Sequence, residues 1–319
     1  MTTSVGLFNP LPLALAHYQR ELTETLAAAG LPALTLDAAG VEVGGVPHRV
    51  ALAGAQHLRA VRRVRRRIAP TIVLWPAAGL LEPALWGGSR GDVWLIVHDA
   101  APLRRQLGFG RLCNTVGRAG LRGRVRVIVH TDAAAQELLS RGWPRPVVLA
   151  HPVLTSARAG PPLARSGVRV LGQYKPARDL DILQATSAVP GPREIIGRGW
   201  PSVDGWTVRD AFVCEAEFDR LLAGSEVVVL PYRRLFQSGV AVRAVESLTP
   251  LVAPRHPSLE GLLGADWPGL VPPASPPGAW AEAVEMVRRT DVSVLEGLRD
   301  RVRVSVVDGW RRELPGLAA

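Results

Sequence analysis

Short runs of β-branched and other apolar residues recur along the chain, each bounded by glycine, proline or charged positions. Residues 4–8, 71–75, 93–97, 126–129 and 147–149 have the continuous apolar character of strands buried on both faces, and most lead into a segment of helical period. The second half repeats the scheme at 168–171, 193–196, 226–230 and 251–253. Alternation of this kind predicts an α/β chain with two parallel sheets, that is, two Rossmann-like halves. Residues 155–166 are rich in proline, glycine, alanine and arginine without periodicity and read as a linker. The tail, 291–317, places Val294, Leu295, Leu298, Val302 and Val306 near helical spacing and predicts a long terminal helix. The expected organisation is a first domain over 1–155, a linker over 156–166 and a second domain over 167–319, whose last helix packs back on the first.

Composition narrows the class. A chain of 319 residues with 47% hydrophobic and 21% charged positions has material for two ordinary cores. Cys113 and Cys214 are the only cysteines and lack metal-ligand spacing, which predicts neither a disulfide framework nor a zinc site and suits a reducing cytoplasm. The N-terminus has no basic start followed by a clean apolar core, so no signal peptide is expected. The longest apolar stretch, 71–86, is broken by Pro76, Glu82 and Pro83 and is too short to span a bilayer. The net charge of +10 favours phosphate-rich partners without choosing among them.

Part of that charge is concentrated at 57–70, which reads as an amphipathic helix. Leu58, Val61, Val64 and Ile68 form the apolar stripe, and Arg59, Arg62, Arg63 and Arg66 share another face. With no acidic residue between Val50 and Leu81, attraction to an anionic lipid surface is the functional expectation, worth about 1 kcal/mol per basic residue. A solvated charged face is the alternative. Nucleic-acid binding has little beyond charge behind it, since aromatic residues are 5% and no groove-reading motif is present.

The most informative stretch is 230–254. An apolar strand ends at Pro231 and Tyr232, a loop follows, and Ser238 and Gly239 open a helix over 240–248. Ser238 can cap that helix, Gly239 lets a ligand approach the backbone, and free amide N–H groups at the helix start suit a diphosphate. Earlier, Lys175, the only lysine in the chain, and Arg178 precede the helical run 179–186, a pair of cations able to stabilise charge on a departing phosphate. His98 and Asp99 end a predicted parallel strand, where open α/β sheets place their ligands. Asp99 can instead cap the following segment. His130 and His151 also follow strands and are read as structural.

At these residues the chain resembles the retaining glycosyltransferases of the GT-B fold, specifically the large bacterial family four-like group that extends sugar chains and decorates lipids. LLAGSEVVVLPYRRLFQSGVAVRAVESLTPLVAP, 221–254, resembles that family's donor segment, and VLGQYKPARDLDIL, 170–183, its phosphate-binding loop. VWLIVHDAAP, 93–102, resembles the strand whose terminal histidine faces the cleft. VRVIVHTDAAAQELLSRG and VVLAHPV resemble the close of the first domain. The resemblance implies two Rossmann-like domains facing a cleft, with a nucleotide diphosphate sugar as donor and a glycan, lipid-linked or small-molecule hydroxyl as acceptor. It implies His98 on the transferred sugar, and Lys175 and Arg178 on the diphosphate. It further implies that Gln173, Gly197, Tyr232, Gln237, Ser238, Gly239, Val240 and Glu246 line the donor and that no metal or cofactor is required. The expected location is the cytoplasm, peripheral on the inner face of the membrane.

The chain also departs from that pattern. Phe236, Gln237 and Ser238 stand where many members carry a loop glutamate, Arg243 and Ala244 where they carry the ribose-binding one, and Gln173 where an arginine is common. The N-terminal loop 9–16 lacks the usual Gly-Gly pair. These departures keep a second reading open, a catalytically inactive nucleotide-sugar-binding protein of the same fold.

Overall fold

The computed structural model describes residues 4–36, 47–101, 108–154 and 164–313. Most of the predicted linker, 155–163, lies outside them, as does the end of the tail beyond Glu313. The chain divides into two compact units, Met1–Thr155 together with Ser305–Ala319, and Ser156–Val304.

In chain order the first unit contains β1 (Val5–Phe8), α1 (Ala16–Ala28), β2 (Ala33–Leu36), α2 (Pro47–Val64), β3 (Thr71–Val73), a 3-10 turn (Gly79–Leu81) and α3 (Glu82–Trp86). β4 (Val93–Ile96), α4 (Arg111–Gly120), β5 (Val125–Val129), α5 (Asp132–Ser140) and β6 (Val147–Val148) complete it. All pairings are parallel, in the order β2-β1-β3-β4-β5-β6. β1, β3 and β4 are buried at every position, as strands covered on both faces must be.

The second unit begins with β7 (Val168–Leu171), α6 (Leu180–Ala185), β8 (Arg193–Ile196), β9 (Thr207–Arg209), α7 (Glu215–Ala223) and β10 (Val227–Val229). It continues with α8 (Gly239–Glu246), β11 (Leu251–Pro254), α9 (Pro257–Leu263), β12 (Leu270–Val271), α10 (Pro277–Arg288) and α11 (Val292–Glu313). Its sheet is again parallel, ordered β12-β11-β10-β7-β8-β9. Counted from β7, this is the doubly wound order 3-2-1-4-5-6, whose reversal lies between the first and fourth strands. Ligands of such sheets bind outside the carboxyl ends of the strands at that reversal, here between β7 and β10.

Side-chain caps fix several of the helix starts that follow strands. Thr131 accepts from the Ala134 amide at α5, Asp179 from Asp181 at α6 and Ser238 from Ala241 at α8. α11 starts in the second unit, and its residues from Ser305 onward belong to the first, where Trp310 is fully buried and donates from Nε1 to the Ala150 carbonyl at 2.9 Å.

The basic helix differs from its expectation. α2 ends at Val64, and Arg65 to Arg67 form a turn, so Ile68 leaves the apolar stripe and is 79% exposed. The buried face of α2 consists of Ala53, His57, Ala60, Val61 and Val64, with Leu58 half-buried. His57 donates from Nε2 to Glu82 at 2.9 Å, and Glu82 also accepts from the Ala78 amide and the Trp86 indole. Arg59, Arg62, Arg63 and Arg66 are all exposed. No described helix is long and apolar enough to cross a membrane.

Candidate functional site

The second unit brings Arg178, Tyr232 and Ser238 together at the reversal between β7 and β10. The loop after β7 and the loop after β10 are laced by an antiparallel bridge between Arg178 and Tyr232. The Asp179 amide donates to the Pro231 carbonyl and the Arg233 amide to the Ala177 carbonyl, both at 2.8 Å. That lacing turns the Arg178 side chain inward, where it is only 6% exposed, with its guanidinium 4.3 Å from the Tyr232 ring centroid and 5.7 Å from that of Trp200. Its Nε and Nη1 are buried without a hydrogen-bond partner. The carboxylate nearest in sequence, Asp179, is used elsewhere, capping α6 and pairing with Arg233 at 3.2 Å. A buried cation without a carboxylate partner costs several kcal/mol, offset in part here by the two aromatic rings beside it.

The Tyr232 hydroxyl lies 3.1 Å from Ser238 Oγ, joining Arg178 to the start of α8. Burial works against ionisation of the Tyr232 phenol, yet Arg178, the Ser238 hydrogen bond and Lys175 outweigh it and pull the phenol below its ordinary range. Ser238 satisfies the Ala241 amide at 3.2 Å, leaving those of Gly239 and Val240 among the first-turn donors that a helix cannot satisfy internally. Gly239 is exposed, and a Cβ built on it meets nothing within 4 Å, so the approach to these amides is open.

Two glycines shape the neighbouring strand ends. Gly197, after β8, has φ +154°, and a Cβ there would lie 2.1 Å from the Gly172 carbonyl oxygen, after β7. The glycine is thus required for backbone packing of the two loops, and Trp200 donates from its indole to the same Gly172 carbonyl at 2.7 Å. Lys175 and Gln173 are exposed on the loop. Lys175 therefore adds charge at the surface, whereas Arg178 supplies it inside. Gln237 is half-buried beside Ser238. Glu246 is buried in the last turn of α8, about 10 Å along the axis from Gly239 at 1.5 Å per residue. Arg243 pairs with Glu215 at 2.9 Å and with Asp219, and so ties α8 to α7.

In the first unit His98 follows β4 as expected, but it does not stand alone. Its ring lies against Trp75 in a stacked contact (5.3 Å, 26°), against the edge of Tyr18 (4.5 Å) and near His130 (5.4 Å). His130 and His151, read from the sequence as structural, belong to this same cluster, with ring centroids 5.2 Å apart. His98 Nε2 lies 2.9 Å from the Leu74 carbonyl. A carbonyl only accepts, so that nitrogen carries the proton. Burial first, and His151 second, depress the His98 pKa to about 3, so the ring is neutral and Nδ1 is its acceptor. His130 is likewise held neutral by burial; its Nδ1 donates to Leu149 at 2.8 Å and its Nε2 accepts from the Tyr18 hydroxyl at 2.7 Å. The next described helix after Asp99 is α4, whose N-cap is Gly110.

Sequence reading missed Trp200, Tyr18 and Trp75. The signal for Trp200 was present: Gly197 and Gly199, both at positive φ, fold the chain so that the tryptophan returns over β7. Tyr18 and Trp75 carry no comparable local mark.

No protein-family model matches the sequence, nor does any curated protein. Solved structures do match. HepE of Anabaena, in complex with UDP-glucose, aligns with 97% of this chain and 97% of its own at a TM-score of 0.66 and 11% identity. The sucrose-phosphate synthase of Thermosynechococcus elongatus aligns over 97% and 96% at 0.64 and 14%. TarM aligns over 80% of this chain at 0.58 and 12%, the match spanning 55% of TarM's own length. The architecture of two parallel six-stranded α/β units is thus that of the GT-B glycosyltransferases.

Proposed function

We propose that the chain transfers a sugar from a nucleotide diphosphate donor to an acceptor hydroxyl with retention of configuration. One observation carries the reading: the buried Arg178 guanidinium at the β7–β10 reversal, whose Nε and Nη1 have no hydrogen-bond partner and which is linked through Tyr232 to the Ser238-capped start of α8. A diphosphate placed there gains a charge-assisted partner for Arg178 and the amides of Gly239 and Val240, and Lys175 adds a second cation at the rim. These groups stabilise the charge that grows on the leaving diphosphate as the bond from the sugar's anomeric carbon to the phosphate oxygen breaks. The charge comes from side chains in place of a metal, so chelation by EDTA leaves turnover unchanged. HepE bound to UDP-glucose supports a nucleotide sugar as donor.

His98, held neutral by burial, contributes by hydrogen bonding to the transferred sugar and does not act as a cationic acid. The acceptor is a carbohydrate or a lipid-linked one. Four exposed arginines on and just after α2, at 59, 62, 63 and 66, support attraction to an anionic membrane surface on the cytoplasmic side. Recovery in flotation with anionic and with neutral vesicles tests this, equal recovery counting against it.

The decisive assay is product formation from a panel of uridine, guanosine and thymidine diphosphate sugars, with the anomeric configuration read by NMR. Lys175→Ala with Arg178→Ala abolishes turnover on this reading; undiminished turnover overturns it. A second reading, a nucleotide-sugar-binding protein without transfer, is favoured by Glu246, which lies at the far end of α8 from Gly239 while Arg243 is engaged with α7. Donor binding without transfer or hydrolysis across many acceptors would establish it.

A further inference from the structure

Arg178 is held by more than charge. Tyr232 lies 4.3 Å from its guanidinium carbon and Trp200 5.7 Å, both within cation–π range. Both rings are themselves tethered. The Trp200 indole donates to the Gly172 carbonyl at 2.7 Å and meets the Tyr174 ring at 5.3 Å, and the Tyr232 hydroxyl is 3.1 Å from Ser238 Oγ. The tethers reach the end of β7 and the cap of α8, the two elements that flank the sheet reversal. Gly172, at φ +104°, lies beside Arg178; a Cβ there would be 3.6 Å from Nη2, an ordinary contact distance. The ring faces accept a cation but offer no lone pair to its N–H groups; the Tyr232 hydroxyl lies within reach of the guanidinium, yet Nε and Nη1 remain without protein acceptors. A guanidinium held beside two rings with Nε and Nη1 still without acceptors is set to receive oxygen ligands at those two groups.

We propose that Trp200 and Tyr232 are positioning residues, an aromatic clamp that orients the Arg178 guanidinium so that its N–H groups meet a diphosphate. The inference rests on the nucleotide-diphosphate reading and adds to it that orientation, as well as charge, determines how tightly this ligand is held. It follows that Arg178→Lys is not a conservative change: a lysine ammonium keeps the charge but has no plane for the rings to align.

The test is calorimetric titration of the full chain with inorganic pyrophosphate, which is independent of the base, and with uridine, guanosine and thymidine diphosphates. Trp200→Leu and Tyr232→Leu each weaken pyrophosphate binding about tenfold, the order of one desolvated cation–π contact. Trp200→Phe and Tyr232→Phe, which keep a ring, stay within about threefold of the wild type, and Arg178→Lys loses more than about tenfold. Rescue by phenylalanine but not leucine is the signature, because a ring that merely filled space would be replaced equally well by either. Should a leucine variant fail to fold, Arg178→Lys and the paired variant at the other ring still decide the outcome. Leucine variants that bind as tightly as wild type, or Arg178→Lys at wild-type affinity, overturn the clamp and leave the diphosphate site standing. A wild-type chain that binds neither pyrophosphate nor any of the three diphosphates removes the functional reading and the clamp with it.

Discussion

Replacing Arg178 by methionine should leave the ligand-free protein as stable as before or more so, while removing its response to diphosphate. Methionine retains most of the stem volume and packs on the Tyr232 and Trp200 rings through its sulfur, worth about 0.3–1.5 kcal/mol, against about 1–2 kcal/mol for the cation–π attraction that it replaces. In return it removes two buried donors, Nε and Nη1, each costing about 1–3 kcal/mol while unpaired. The balance runs from near neutral to about 6 kcal/mol stabilising, of which even about 2 kcal/mol is roughly 6 °C in Tm for a unit of this size. With diphosphate at about 100 times its Kd, the wild type gains about 2.7 kcal/mol and the variant nothing. Thermal unfolding by circular dichroism, with and without millimolar uridine, guanosine and thymidine diphosphates, should therefore show the wild type alone gaining on addition of ligand and closing on or overtaking the variant. A functional residue that costs stability is the reason for that difference. If Arg178→Met lowers the ligand-free Tm by several degrees and keeps the ligand-induced shift, Arg178 is a structural cation and the reasoning fails.

Three other outcomes follow from the geometry. Gly197→Ala puts a Cβ 2.1 Å from the Gly172 carbonyl oxygen at a φ of +154°, and should cost about 2–3 kcal/mol in chemical denaturation; an unchanged midpoint refutes the close packing. Gly239→Ala meets nothing within 4 Å and improves helix propensity, so Tm should hold or rise slightly while diphosphate affinity falls severalfold; equal affinity means that the ligand does not approach the start of α8. His98, depressed to about 3, and His130, also depressed, are neutral in the folded state but titrate near 6.5 when unfolded, so their contribution is full above about pH 6.5 and is lost as pH falls toward the folded values. Urea unfolding at pH 5 should show about 2 kcal/mol less stability from His98 than at pH 7, with His130 acting in the same direction, and a midpoint that does not move between the two would contradict two buried neutral rings.

Most of the fold was legible because burial leaves a local trace. Central strands such as β1, β3 and β4 are apolar at every position, and Ser238 and Asp179 announce the helices that they cap. β2, β9 and β12 escaped because they are edge strands, short, and in β2 and β9 half exposed, so no apolar run distinguishes them from loop. α2 was placed too far along because Ile68 continues the spacing of Val61 and Val64, and periodicity alone does not show where the chain turns away from the core.

The sequence by itself determined the α/β alternation, the glycine-opened α8 behind its serine cap, and the placement of His98 and Arg178 just beyond strand ends. Which way those side chains face was decided only by the tertiary structure. Strand order puts β10 beside β7, some sixty residues earlier, and the backbone bridge between Arg178 and Tyr232 that results turns the arginine from the surface into an aromatic pocket with Trp200. In the same way β4, β5 and β6 lie side by side and gather His98, His130 and His151 into one cluster. Propensity, capping and burial act over a few residues and are written where they act, whereas the partners of a buried charge come from distant segments that only the assembled sheet brings within reach.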